Sequence, residues 1–384
     1  MTSAILLINS LGTGGAERAV IAAAAELLAG GRKVEIVCLE RHDASLTLPA
    51  GIPVCFLSNL SASSSPLVKL LALPFLALRL AARVSRQETR SVMSHLFRAN
   101  FVNVLARLLT RSRHKAVLVN HTRISRLRHE GLQGMVNWTL CRLLYPRADL
   151  VASVSTGASA ECGRLLRLPP DKVITLYDPI RLALPGATER GDSPTTIVAV
   201  GRLVALKRFE DLLDAFCGLT AEVPGLRLKM IGDGPERALL EKRAASSPVS
   251  DRIHFLGQVA DPAAELAVSD VFVSTSAVEG FGMAIVEALA AGLPVISADC
   301  AYGPREILAP HSDSSRLLPA GSDLEIAEFG LLYPVGNVKA LQKALKLVLE
   351  DDALRKDLGR KGPSRAVDFS VEKSTAAYER ILFA

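Results

Sequence analysis

Two carboxylates separated by seven residues, Glu279 and Glu287, enclose the run Gly280-Phe281-Gly282-Met283. Glycines at 280 and 282 allow a tight turn and close approach of the backbone to a ligand. Glu287 lies four residues after Met283, so the two share a helix face. A lone helical glutamate is most often solvated, but Glu287 stands among Ile285, Val286, Ala288 and Leu289. A carboxylate inside such an apolar run is either costly or needed. Two cations, Arg202 and Lys207, flank a second glycine-led turn at Gly201. Most Arg and Lys are surface charge, yet fixed cations at a turn can hold an anion. Histidines at 95 and 121 each follow a short apolar run. The chemistry these types can do is the binding and stabilisation of an anionic ligand.

The elements around them must put such groups at sheet edges. Residues 271–275 are apolar and β-branched, a buried parallel strand. Residues 283–291 are Ala- and Leu-rich and close on Gly292 and Pro294, a helix with a stop signal. A strand therefore leads through a glycine turn into a helix N-terminus, where free N–H groups and the helix dipole favour anions. The chain start repeats this plan, with a strand at 5–8, a loop at 11–18, an alanine-rich helix to Ala29 closed by Gly30-Gly31, and a strand at 34–40. Such a β-α-β unit requires a parallel sheet. A dinucleotide site would want G-x-G-x-x-G and an acid ending the second strand. Gly12, Gly14 and Glu40 fit, but Glu17 stands where the third glycine belongs.

Further strands read at 54–57, 91–95, 117–119, 145–155 and 173–176, and residues 181–194, with two prolines and two glycines, read as a linker. Both His95 and His121 fall at carboxyl ends of strands, where ligands bind in open α/β sheets. Strands then read at 195–200, at 226–231 before Gly232-Asp233-Gly234-Pro235, at 253–256 before Gly257-Gln258-Val259, and at 295–298. Asp233 is placed to cap the next helix. Residues 309–329 read as a long polar loop and 371–382 as a final helix.

At 384 residues the chain suits two domains, and 49% hydrophobic against 22% charged content fits sizeable cores. Six scattered cysteines with no C-x-x-C pair read as buried thiols of a reducing compartment, and no His/Cys metal spacing is visible. No basic stretch precedes the first strand, which argues against a signal peptide. The net charge of +6 is uneven. Residues 69–147 hold fifteen Lys and Arg against two acids, Glu88 and Glu130, a balance of +13 that leaves −7 for the rest. An anionic partner for one half follows. Aromatics are only 5% and no nucleic-acid motif is present, so a membrane surface is expected and nucleic acid is not. Residues 67–84 read as a basic amphipathic helix with Pro74 inside and Arg79, Arg83 and Arg86 on one face. The alternative is a surface helix packed on its own sheet. The apolar stretch between Lys69 and Arg79 is too short to span a bilayer.

The Glu279-x7-Glu287 spacing with its glycines resembles the E-x7-E motif of retaining nucleotide-sugar glycosyltransferases of family 4. Gly14-Gly15-Ala16-Glu17-Arg18, the Gly201-Arg202…Lys207 run and residues 302–307 are similar to that family as well, and the matches extend over nearly the whole chain. Asp178-Pro179 departs mildly from the family's Asn-Pro. The resemblance implies the GT-B architecture: two Rossmann-like α/β domains with parallel sheets facing a central cleft. These would be residues 1–180, which bind acceptor, joined by helix 369–384 packing back, and 195–368, which bind the donor.

The implied reaction moves a hexose or N-acetylhexosamine, with retention, from a nucleotide diphosphate sugar to a lipid-linked or surface glycan. Uridine diphosphate is the expected carrier, and no metal or other cofactor is expected, since no Asp-x-Asp motif appears. Among implied roles, Glu279 contacts donor sugar hydroxyls and Glu287 the ribose. Arg202, Lys207 and the Gly14–Gly15 backbone neutralise the diphosphate. Gly280, Phe281, Gly282 and Met283 line the donor site, and Gly257, Gln258 and Val259 border the base. His95 is expected beside the reacting sugar, with His121 as second candidate. A cytoplasmic enzyme held peripherally on the inner membrane face is expected. A sugar-nucleotide epimerase of the same architecture and a non-catalytic partner subunit are the alternatives; Glu279, Arg202 and Lys207 together argue against the second.

Overall fold

The computed structural model describes residues 3–12, 14–41, 48–49, 51–61, 63–110, 112–182, 195–259 and 262–384. The expected linker therefore lies largely outside the described residues. The chain forms two compact units, Met1–Arg181 with Phe369–Ala384, and Leu182–Asp368.

The first unit carries β1 (Ser3–Ile8), β2 (Lys33–Cys38), β3 (Val54–Phe56), β4 (Thr89–His95), β5 (Lys115–Asn120), β6 (Leu150–Ser153) and β7 (Val173–Thr175). They form one sheet in the order β3-β2-β1-β4-β5-β6-β7. Every pairing is parallel. Ala4 to Ile8 are all buried, because a parallel sheet covered by helices on both faces leaves no strand side to water. Strand order reverses between β1 and β4. Outside the carboxyl ends of the strands at such a switch point, the loops diverge and leave a crevice.

The second unit carries β8 (Thr196–Val200), β9 (Arg227–Ile231), β10 (Ile253–Gly257), β11 (Val271–Ser274), β12 (Val295–Ala298), β13 (Glu325–Ala327) and β14 (Gly330–Tyr333). The order is β10-β9-β8-β11-β12-β14-β13, with the reversal between β8 and β11. All pairings are parallel except β13 with β14. That hairpin occupies the end of the stretch read as a polar loop. Its turn at Glu328-Phe329 is short, and β13 lies at the sheet edge where period-two patterning is weak.

The C-terminal helix, Val371–Phe383, belongs to the first unit. Ser370 caps it, accepting from Lys373 N–H, and Ile180 bridges to Ser370. Arg32 Nε donates to Glu379 at 2.6 Å, and Lys115 Nζ to the Ile381 carbonyl at 2.8 Å.

Residues 67–84 are not one helix. Pro66–Leu71 and Leu73–Arg86 are separate helices, and Pro74 lies in the first turn of the second, where its missing N–H costs nothing. Nor do the basic residues form one free face. Arg83 Nε donates to Glu35 at 2.7 Å, Lys69 reaches Glu40 at 3.3 Å, and Arg79 donates to the Leu57 carbonyl. These contacts anchor the helix on its own sheet. What the two helices turn to water includes apolar side chains, with Leu71, Phe75 and Leu78 each more than half exposed, beside the exposed Arg79 and Arg86. Among the described residues no helix is long and apolar enough to cross a membrane.

Candidate functional site

In the second unit the loops that leave the switch point are locked to one another. Lys207 ends a short 3-10 turn, Ala205–Lys207, after β8. Thr275 Oγ1, just past β11, donates to the Lys207 carbonyl at 2.6 Å, and Ala277 N–H to the Leu206 carbonyl at 2.8 Å. The Lys207 stem runs past Gly201, where an added Cβ would lie 3.6 Å from its Cε. The loop after β9 is fixed to the same place, with Leu203 N–H donating to the Asp233 carbonyl at 2.9 Å. A Cβ at Gly232 would lie 1.9 Å from the Gly201 oxygen, so only glycine fits there.

This framework brings Lys207 to Glu279, with Nζ 2.5 Å from Oε1, and Ser276 Oγ donates to the same oxygen at 2.6 Å. The side chains are 25% and 13% exposed, so the pair is partly desolvated yet open to a ligand. Arg202 is exposed on the same loop and has no ion-pair partner among the described residues. Gly282, with φ of 112°, caps helix Met283–Ala290, and Glu287 is half-buried on it. Phe281 is buried, Gly280 and Met283 half-buried. Two strands away, Gly257 ends β10 and its carbonyl accepts from Gly232 N–H at 2.8 Å; Gln258 is exposed and Val259 half-buried. The structure thus joins Lys207 and Glu279 directly and places Arg202, Gly280 to Met283 and Glu287 around the same switch point.

In the first unit Gly14 caps helix Gly15–Ala29. A Cβ at Gly14 would lie 2.4 Å from Glu17 Oε2, so the Glu17 carboxylate turns back over the helix start. Part of the capacity that the Gly14–Gly15 loop has for an anion is met by this internal acid. Glu40, buried beyond β2, accepts from Arg98 Nη1 at 3.0 Å and from Lys69. Glu40, which fitted the acid of a dinucleotide pattern, is therefore a buried counter-ion.

The two histidines, rivals in the sequence, are in contact. His95 Nδ1 and His121 Nε2 are 2.9 Å apart, and His121 Nδ1 is 3.3 Å from Asp178 Oδ2. His95 is fully buried. Burial, and then the neighbouring His121, hold its pKa well below the usual histidine value, so it stays neutral. His95 therefore presents no open face to a sugar in this structure, against the expectation from sequence; His121 is the more accessible ring.

Sequence reasoning missed Ser276, Thr275, the Asp178 contact and Tyr378, whose ring stacks on His95 at 6.1 Å. The hydroxyls preceding Glu279 in the same turn were a usable signal. For Tyr378 there was none, because only folding carries the chain end to β4.

A family model described as Glycosyltransferase Family 4 matches residues 13–184, and one described as Glycosyl transferases group 1 matches residues 183–365. Over 374 residues the chain is 29% identical to an N-acetylgalactosamine-N,N'-diacetylbacillosaminyl-diphospho-undecaprenol 4-alpha-N-acetylgalactosaminyltransferase of Campylobacter jejuni, covering 96% of each chain. It is 33% identical over 192 residues, half of each chain, to the lipopolysaccharide core biosynthesis glycosyltransferase LpsE of Rhizobium meliloti. Among solved structures, sucrose-phosphate synthase from Thermosynechococcus elongatus aligns with a TM-score of 0.80 at 20% identity, over 99% of this chain and 98% of that one. The apo form of the lipopolysaccharide outer core galactosyltransferase WaaB aligns with a TM-score of 0.70 at 18% identity, over 100% and 99%. At these identities the two structures speak to fold.

Proposed function

Because the chain belongs to the group 1 glycosyltransferases of family 4 and has their GT-B fold, we propose a specific reaction for it. It moves a hexose or N-acetylhexosamine from a nucleotide diphosphate sugar, with UDP as carrier, to a lipid-linked or cell-surface glycan. Anomeric configuration is retained and no metal takes part.

The observation that carries this reading is the Lys207–Glu279–Ser276 constellation at the switch point of the second sheet. In the free protein Glu279 neutralises Lys207. A diphosphate offers that cation a stronger partner, and Arg202 supplies a second positive charge on the same loop. Charge grows on the leaving diphosphate as the glycosidic bond breaks, and fixed cations stabilise it most at that moment. Glu279, released from Lys207, is then an acceptor for sugar hydroxyls, and Glu287 for the ribose. The Gly280 to Met283 turn offers N–H groups at a helix start. Gly257 to Val259 border the base, and the Gly14–Gly15 backbone meets an anionic part of substrate. His121 is the histidine that faces the sugar, with His95 behind it.

The lipid-linked acceptor is supported by the Campylobacter relative, whose name specifies a diphospho-undecaprenol acceptor. The exposed Leu71, Phe75 and Leu78 support a peripheral position on the inner face of an anionic membrane from the cytoplasmic side. Paired as they are, Lys69 and Arg83 contribute little there, so apolar insertion outweighs the roughly 1 kcal/mol expected of each free basic residue. Changing Leu71, Phe75 and Leu78 together to Ser should abolish co-sedimentation with anionic vesicles while the thermal melt is unchanged. Wild-type protein left in the supernatant at low salt would end the membrane reading.

The reaction is tested by a panel of nucleotide sugars scored for nucleotide release, with a lipid extract as acceptor and excess EDTA present. Acceptor-dependent release undiminished by EDTA is expected. Loss of release restored by Mn²⁺ or Mg²⁺ would overturn metal independence, and a donor epimerised without acceptor would overturn the transferase reading.

A further inference from the structure

We propose that His95 is a positioning residue for His121: from inside the first sheet it occupies His121 Nε2 and fixes that ring in the tautomer protonated at Nδ1, and the C-terminal helix backs it through Tyr378. The proposal rests on the reading that His121 faces the reacting sugar.

The hydrogen-bond chain has a direction. A carboxylate oxygen accepts, so the 3.3 Å contact with Asp178 Oδ2 assigns a proton of His121 to Nδ1. Nε2 of that ring is then an acceptor, and the 2.9 Å contact makes His95 Nδ1 the donor to it. Asp178 alone would leave the His121 ring one anchor, about which it could swing. With His95 on its other nitrogen, the ring is held at both ends. Asp178 is itself buried, between the end of β7 and the return of the chain at Ser370.

A satisfied core histidine would need none of what surrounds this pair. Tyr378, fully buried on helix Val371–Phe383, lies over the His95 ring at 6.1 Å with planes 14° apart. Ser374 and Thr375, one turn earlier on the same face, are also buried. His95 Nε2, Asp178 Oδ1 and the three hydroxyls of this helix have no hydrogen-bond partner among the described residues. A helix chosen only to pack over β4 would be apolar here, because an unpaired buried polar group costs stability. The chain end thus contributes to the ligand edge of the sheet without touching a ligand.

Misplacement of a substrate-facing group by about 1 Å can cost about 10²-fold in rate. His95→Phe keeps a ring and deletes the donor; it should lower kcat about 10- to 100-fold and leave the donor KM within about twofold. His95→Asn restores an N–H near the position of Nδ1 and should recover most of the loss. Nitrogen-15 spectra of protein labelled at histidine read the tautomer directly. We expect His121 protonated at Nδ1 in the wild type, a mixture of tautomers in His95→Phe, and the wild-type form again in His95→Asn. Tyr378→Leu, which removes the backing ring, should shift His121 toward the mixture; it reads the same signal if His95→Phe does not fold.

Wild-type His121 protonated at Nε2 would overturn the proposal. So would equal losses in folded His95→Phe and His95→Asn, which would mean a packing role only. Full activity in His121→Ala would instead defeat the reading that His121 faces the sugar, and the tautomer spectra would still judge His95.

Discussion

Lys207→Ala should lower turnover by about 10²-fold or more, with the thermal melt shifted little. Lys207 is a quarter exposed, and its ion pair with Glu279 contributes modestly to stability, as partly solvated pairs do. On the proposed reaction its larger effect falls on the transition state, where charge would accumulate on a leaving diphosphate. The stem is already aligned along Gly201 and the Lys207 carbonyl is held by Thr275, so on the proposed reaction a donor would displace only the Nζ contact with Glu279. Removing the ammonium also leaves Glu279 with Ser276 alone, a carboxylate that has lost its counter-ion. Lys207→Arg should recover only part of the loss, since a planar guanidinium does not reproduce a compact ammonium. Steady-state nucleotide release beside a melting curve is the check. Near-normal turnover in Lys207→Ala would remove this lysine from the machinery.

Gly303→Ala is expected to be the most damaging single substitution for stability. Gly303 adopts φ of 97°, which L side chains rarely adopt, and its added Cβ would lie 1.6 Å from the Phe281 oxygen and 2.3 Å from the carbonyl carbon. Both clashes are with backbone, which cannot swing aside. Phe281 is buried in the turn between Glu279 and Glu287, so the strain passes directly to that turn. Nor can the far side of Gly303 yield. Arg305, two residues on, is buried and bonded to Asp299 through Nη2 at 2.7 Å and to Glu325 at 2.8 Å. Burial alone would lower the pKa of this guanidinium, but its hydrogen bonds to Glu325 and Asp299 raise it, so it stays charged and paired. The expected loss exceeds about 3 kcal/mol by urea unfolding, and donor turnover should fall with it. Gly321→Ala, where an added Cβ meets nothing within 4 Å, is the control and should change stability by less than about 0.5 kcal/mol. Equal stability of the two variants would contradict the packing described for this turn.

Much of the second unit's candidate site is written locally. Glu279, the two glycines after it and Glu287 lie on one strand-turn-helix unit, so their spacing alone puts them at a sheet edge. Arg202 and Lys207 are readable for the same reason. What spacing could not show is that Lys207 and Glu279 are partners, because that contact depends on β8 lying beside β11. The histidines illustrate the limit more sharply. Each sits at the carboxyl end of a strand, and from sequence they compete for one role. Pairing of β4 with β5 makes them neighbours, and the C-terminal helix decides which is covered. Helix amphipathicity was also legible around residue 75, yet the partners of Lys69, Arg79 and Arg83 lie beyond β2, just after β3 and in β2. Charge counted along a chain does not reveal charge already neutralised across a sheet.

The most direct test of the central claim is the anomeric configuration of the glycoside formed from an α-linked nucleotide sugar, read by proton NMR of the initial product. An α-glycoside on the acceptor is expected, formed in stoichiometric proportion to released nucleoside diphosphate. A β-glycoside, or nucleotide release with no glycoside on any acceptor, would contradict it.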